Sequence, residues 1–443
     1  MRIHCLFSAL AFVIASATAS AAPASLDRAA LDRLAHLPVG GSLVVDALPD
    51  GAGTTAKIRF ERVDFLAPGA RIVVIDQNGE HELPKSTRVE LIGKSDSGDV
   101  RIALAFDPDA RSVSGVGTSP RGAFVVKGTN GANGLVLHSV PLESTYPPGV
   151  VPRIIGSDDA LPSGNPMPSD LALKLGPGAP AGGGVSATVA VDTDNEFMSE
   201  RFSNSTAAAA NWIADLFAVM NVMYERDLDV TLLQGTTMLR TAADPYTETG
   251  SPANGDELDE FGTYWQQHYG NVDRSFAMLL SGKSTSGNQA SGIAWINSYC
   301  ATQSQGGSYS INQIFTNPQV SVDLSARIVG HELGHNFGAW HTHCTNVTSG
   351  GAPTGSNTID QCYNGEAGAG CYSGPTSCPS SGPGAPAGTI MSYCNIAGCG
   401  SDHQNVLVFH PTQVSTLSVL IAQHTPSCLN PFADVIFRSS FEH

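Results

Sequence analysis

Apolar and polar residues alternate differently in three stretches of the chain. Between residues 22 and 151 the pattern has a period of two. Lys57 to Val63 and Val100 to Phe106 alternate, and Arg71 to Ile75 is a short apolar run, with Gly, Asp and Pro between them. Such runs predict a β-rich domain. It contains no catalytic constellation and no internal repeat. Residues 152–185 are rich in Pro, Gly and Ser and end in Gly176-Pro177-Gly178-Ala179-Pro180 and Gly182-Gly183-Gly184. That composition reads as an exposed linker.

Residues 186–430 mix both periods. Thr188 to Val191 and Leu228 to Leu233 read as strands, as do the apolar runs Phe276 to Leu280 and Gly292 to Ile296. Ser205 to Tyr224 carries Trp212, Leu216, Val219 and Met223 at helical spacing, a stripe that suits a core. Glu257 to Tyr269 predicts a second helix, and another begins near Asp323. Pro411 suits the first turn of a last helix, with Val414, Leu417 and Ile421 on one face. Alternating strands and helices predict an α/β layer structure.

The ends of the chain stand apart. Arg2, the apolar run Leu6 to Ala15 and the small residues Ala19-Ser20-Ala21 predict a signal peptide over residues 1–21, hence secretion, with periplasmic transit in a bacterial host. The run is too short to span a bilayer, and no other spanning candidate is evident. Residues 431–443 form a tail in which Val435, Ile436, Phe437 and Phe441 are flanked by Arg438 and Glu442. It fits either a sorting tail of the kind seen on secreted bacterial proteins or a last edge strand. Asn204 and Asn346 lie in sequons that matter only in a eukaryotic secretory host.

Composition narrows the function classes. The 443 residues carry 40 acidic and 23 basic side chains, a formal charge of −17, so a nucleic-acid partner has no electrostatic support. Of nine cysteines, Cys5 lies in the signal segment, and the other eight fall between Cys300 and Cys428. An even, clustered set in an exported chain predicts disulfides. Cys-ligated zinc is disfavoured, because the spacings make no paired CxxC units.

The chemistry concentrates in His331-Glu332-Leu333-Gly334-His335-Asn336-Phe337-Gly338-Ala339-Trp340-His341. His331 and His335, four apart on a helix, share one face and can bind one metal ion. Glu332 can reach a metal-bound water without being a ligand and take its proton as it attacks a carbonyl. Gly338 tolerates the positive φ that ends a helix and turns the chain. The turn returns His341 as a third ligand, leaving the open position that a catalytic zinc needs. His343 competes for that place, but His341 has the motif spacing. Chance would give the pattern on the order of 10⁻⁴ times per chain of this composition, so a merely solvated helix face is set aside.

This segment resembles the zinc signature of the metzincin metallopeptidases. Gly388-Thr389-Ile390-Met391-Ser392-Tyr393-Cys394 is similar to their methionine-containing turn, with Met391 as the turn methionine. HELGHNFG is most similar to the adamalysin (reprolysin) group. Two positions depart from it: Thr342 stands where adamalysins usually have Asp, and Tyr393 is a residue that they usually lack there. In astacins and serralysins a tyrosine at that place ligates zinc or stabilises the oxyanion. Tyr393 is therefore either an oxyanion donor or a core tyrosine.

The resemblance implies a twisted sheet with the active-site helix above, and a smaller disulfide-rich part below that holds Met391. It implies a Cys300–Cys428 bridge and an edge strand within Gly292 to Ile296 that binds extended peptide by strand addition. It implies one zinc and a protein or peptide substrate. Structural calcium is common in such families; Asp192 or Asn430 are candidates, but no loop has the spacing. Residues 22–151 become a propeptide, with a permanent folding or binding module as the alternative. Silencing by a propeptide cysteine is excluded, since none lies between residues 22 and 299. The expected function is a secreted zinc-dependent endopeptidase. The alternatives are an amidase acting on cell-wall peptides and a binding protein with a vestigial site. Oligomeric state is left open.

Overall fold

A computed structural model describes residues 24–50, 54–120, 122–145, 150–155, 184–367, 370–400 and 404–431. The expected signal segment, most of the expected linker and all but the first residue of the expected tail lie outside them.

The N-terminal part is almost wholly extended, as its period-two pattern requires. It runs through β1 (Ala24–Asp27), α1 (Arg28–Ala35), β2 (Ser42–Pro49), β3 (Thr55–Val63), β4 (Ile72–Asp76), β5 (Gly79–Glu82), β6 (Val89–Ser95), β7 (Arg101–Asp107), β8 (Ser112–Ser119), β9 (Gly122–Gly131) and β10 (Gly134–Pro141). Eight of these strands form an antiparallel sheet in the order β1-β10-β9-β8-β7-β6-β3-β2. One face buries its own core, including Ile58, Phe60, Ile102 and Phe124.

β4 and β5 leave that sheet for a second one. This begins with β11 (Arg153–Ile154) and continues with β12 (Val185–Thr193), β13 (Val230–Arg240), β14 (Phe276–Ser281), β15 (Gln289–Ala294), β16 (Tyr309–Gln313) and β17 (Asn430–Pro431). Its order is β11-β15-β16-β14-β12-β13-β4-β5, with β17 paired to β12. β12, β13, β14 and β16 are parallel, whereas β15 runs antiparallel to β16 at one side. At the far side β4 pairs in parallel with β13, through Thr237–Ile72 to Arg240–Ile75.

Helices α2 (Thr206–Leu228), α3 (Gly255–His268), α4 (Val322–Asn336) and α5 (Pro411–Gln423) complete the fold. α3 starts at a capping box, with Asn254 accepting from Asp256 and Glu257 while Glu257 accepts from the Asn254 N–H. α2 lies between the two sheets. Its core includes Ile213, Leu216, Phe217 and Met220, together with Ile92, Ala103, Val116 and Val125 from the N-terminal sheet. Among the described residues α2 is the one helix long and apolar enough to cross a membrane; two-thirds of its apolar stretch is buried inside this protein.

All eight clustered cysteines are paired: Cys300–Cys428, Cys344–Cys371, Cys362–Cys394 and Cys378–Cys399. The first bridge is the one the resemblance implied. Asp192, raised above as a calcium candidate, is instead saturated. Arg240 Nε and Nη2 donate to it at 2.8 Å each, Tyr246 Oη at 2.6 Å and Trp265 Nε1 at 3.0 Å. A carboxylate so occupied by a guanidinium has no lone pair left for a cation.

Candidate metal centre

α4 is buried from Asp323 to Asn336, which places His331 and His335 inside the protein rather than on a wet helix face. The helix ends as Gly338 takes a φ of +102° and donates to the His335 carbonyl at 2.7 Å. A Cβ at Gly338 would meet Leu420 Cδ1 at 2.5 Å, so the turn requires glycine on both counts. The chain then reverses and carries His341 back. Its Nε2 lies 3.2 Å from His331 Nε2, which lies 3.0 Å from His335 Nε2.

These spacings fit one ion. Two imidazole nitrogens at about 2.0–2.1 Å from a tetrahedral zinc lie about 3.3 Å apart. The outward nitrogens are also committed, which leaves Nε2 of each ring as the ligand atom. His331 Nδ1 faces the Ile390 carbonyl at 2.8 Å, His335 Nδ1 the Ala339 carbonyl at 2.7 Å, and His341 Nδ1 faces Glu366 Oε2 at 3.0 Å. Burial, then the neighbouring His335 and His341, holds the His331 pKa well below the usual imidazole range. The ring is thus neutral and ready to ligate at neutral pH.

Met391 is fully buried beneath α4, and a Cβ at Gly334 would lie 2.6 Å from its sulfur. The methionine turn also works through its backbone. Ile390 O receives His331, and Met391 O accepts the Thr342 N–H at 3.0 Å. Thr342 Oγ1 adds a bond to the same carbonyl at 3.3 Å. The Tyr393 ring lies 4.1 Å from the His341 ring centroid and 6.0 Å from that of His331. Glu332 is 3% exposed and faces β15, where a Cβ at Gly292 would sit 2.4 Å from its Cγ. The sheet edge makes room for the carboxylate by carrying no side chain there.

His343 does not join the converging set. Its Nε2 faces Glu366 Oε2 at 2.9 Å. Glu366 was not legible in the motif, yet it spans His341 and His343. Burial acts to raise its pKa, but the facing His341 and His343 outweigh burial and hold the carboxyl well below the usual range. A second cluster, His341, His343, Cys344 and Glu366, gathers around it, but Cys344 is in a disulfide and offers no thiolate.

The cleft in front of these residues holds part of the chain itself. Arg153 N–H donates to the Asn288 carbonyl at 2.9 Å and Ile155 N–H to the Ala290 carbonyl at 2.8 Å, along the free edge of β15. On the opposite wall, Gln404 Nε2 donates to the Pro152 carbonyl at 3.1 Å. Ile154 and Ile155 line the same small cavity as His331, Glu332 and Tyr393.

Among curated proteins, none matches the chain in a sequence comparison. Residues 186–405 match the reprolysin model of metallo-peptidase family M12. That stretch contains β12 to β16, α4 and the methionine turn, with His331, His335, His341, Glu332 and Met391 in one site. The domain over residues 186–405 is therefore a reprolysin-like metzincin domain of metallo-peptidase family M12.

Proposed function

We propose that this protein is a secreted zinc-dependent endopeptidase in which Glu332 is the general base. The observation that carries the reading is the convergence of three Nε2 atoms, 3.0 and 3.2 Å apart along the set, beside the Glu332 carboxylate in a cleft edged by β15. When bound, zinc supplies Lewis acidity, lowering the pKa of a water to about 7 and polarising a carbonyl. His331, His335 and His341 would hold the ion, each ring fixed by its outward nitrogen. Glu332 takes the proton of the attacking water at its carboxylate and returns it to the leaving amine. The Tyr393 hydroxyl donates a hydrogen bond to the oxyanion. β15 receives the peptide as an added strand, which holds the scissile bond in place.

The N-terminal part is the propeptide in this reading. Residues 152–155 already lie as an extended peptide between β15 and the Gln404 wall, where substrate must lie. They cover the cleft sterically, with no cysteine needed.

The test is cleavage of an unfolded protein by the matured enzyme, beside Glu332→Ala and a chelated sample. We expect Glu332→Ala to retain one zinc and lose at least about 100-fold in kcat. Turnover that survives either Glu332→Ala or chelation would sink the mechanism.

A further inference from the structure

Arg327 precedes His331 by one turn of α4, so both side chains leave the same face of the helix. It is 4% exposed. Its Nη1 donates to the Asn405 carbonyl, its Nε has no acceptor, and no carboxylate pairs with it among the described residues. Asp323, one turn earlier, receives the Ser321 hydroxyl. A buried guanidinium is normally paired, because it has lost its water. This one instead lines the cavity that holds His331 and Glu332, with Ile328, Asn395 and Asn405 as neighbouring walls. The occupants from the chain's own segment, Ile154 and Ile155, are aliphatic and bring no anion.

We propose that Arg327 makes this cavity a receptor for a carboxylate side chain, so that the enzyme cuts peptides next to an aspartate or glutamate. The proposal rests on the peptidase reading above. The cavity adjoins the reacting centre, so whatever fills it belongs to a residue flanking the scissile bond. An apolar side chain there leaves the Nε–H buried and unpaired, whereas a carboxylate satisfies it. Hydrogen bonds between ionised partners are also the strong kind, and exclusion of water strengthens them further. The chain's overall charge of −17 does not draw acidic peptides from a distance. Selection therefore arises by contact inside the cavity and survives salt that screens surface charges. The unmet Nε–H also explains how an acidic substrate displaces the chain's own segment: Ile154 and Ile155 offer it no acceptor side chain.

The experiment uses full-length protein, as secreted and after limited proteolysis, with peptide pairs that differ only as Glu against Gln or Asp against Asn. Cut sites are read by mass spectrometry. We expect kcat/KM at least about tenfold higher for the acidic member, at low and at high salt. Arg327→Leu brings the ratio towards one, and Arg327→Lys retains an acidic preference. Equal cleavage of the pairs by the wild type overturns the proposal and leaves the peptidase reading intact. Absence of cleavage of any peptide by zinc-loaded, proteolysed protein overturns both. Where Arg327→Leu does not fold, the wild-type ratio decides alone.

Discussion

His341 is held differently from the other two candidate ligands. Backbone carbonyls orient His331 and His335, so the fold alone fixes them. His341 relies on the Glu366 carboxylate, 25 residues further on, which also receives His343. The Cys344–Cys371 bridge closes the loop that carries Glu366. Outer carboxylates of this kind set the ring orientation and raise ligand basicity, and losing one typically costs 10–100-fold in metal affinity. Glu366→Gln is therefore expected to weaken zinc binding by about 10–100-fold, measured by competition with a chelator of known affinity. Unchanged affinity would show that the bridge alone places His341. The three histidines and Glu332 were legible because one helical turn and one glycine turn fix their geometry in a short motif. Glu366 was not, since it lies in an aperiodic loop whose position depends on a disulfide. Arg327 was hidden for another reason: a helical residue four before a histidine is ordinary until the cavity beside it is seen.

Most elements of the M12 domain follow from local pattern, and the misses have physical causes. β16 is buried at all five positions, yet Ser310, Asn312 and Gln313 interrupt any apolar run. Their side-chain amide N–H groups find partners distant in sequence: Asn312 Nδ2 donates to the Leu279 carbonyl and Gln313 Nε2 to Glu257. β4 was readable as a strand, but nothing local assigns it to one sheet or the other. β11 is too short to show a pattern and is defined wholly by the edge it meets. If the N-terminal part is the propeptide, as proposed, that edge pairing is a lever on latency. Arg153 and Ile155 each donate one N–H to the β15 side, and proline has none to give. The double variant Arg153→Pro/Ile155→Pro should loosen the segment. At about 0.5–1.5 kcal/mol per bond, basal cleavage by the full-length chain is expected to rise by about 5-fold or more. The rate of hydrolysis of a small peptide before any maturation reads this out. A rate equal to wild type would mean that these bonds do not close the cleft.

At the scale of the molecule, α2 explains why the two parts hold together. A helix that is apolar nearly all round must be covered on every side. The M12 sheet covers one face and the N-terminal sheet the other, while β4 and β5 extend the M12 sheet itself. The sequence displayed the apolar helix but not the second cover, because sheet-on-helix packing leaves no local signal. The seam contains a group that makes it sensitive to pH. Arg88 Nη2 contacts both Asp215 on α2 and Glu90 on β6, the latter at 3.4 Å. One guanidinium cannot neutralise two buried carboxylates, so one of them keeps a proton. Burial, and then the facing Asp215, pushes Glu90 up to about 8 despite Arg88. An acid whose pKa is raised by folding stabilises the fold while protonated. Its contribution is complete below the unfolded value of about 4.5 and is lost as pH rises through about 8. Asp194, raised to about 7 mainly by burial, weakens the fold in the same direction but lies away from the seam. The thermal midpoint of the full chain should therefore fall between pH 6 and pH 9. Glu90→Gln keeps the shape without the charge and should recover part of that loss, about 1 °C for each kcal/mol regained in a chain of this length. A Glu90→Gln variant that falls as steeply as wild type would clear Glu90 and place the alkaline weakness at the other acids that burial raises, Asp194, Asp215, Glu225 and Glu257.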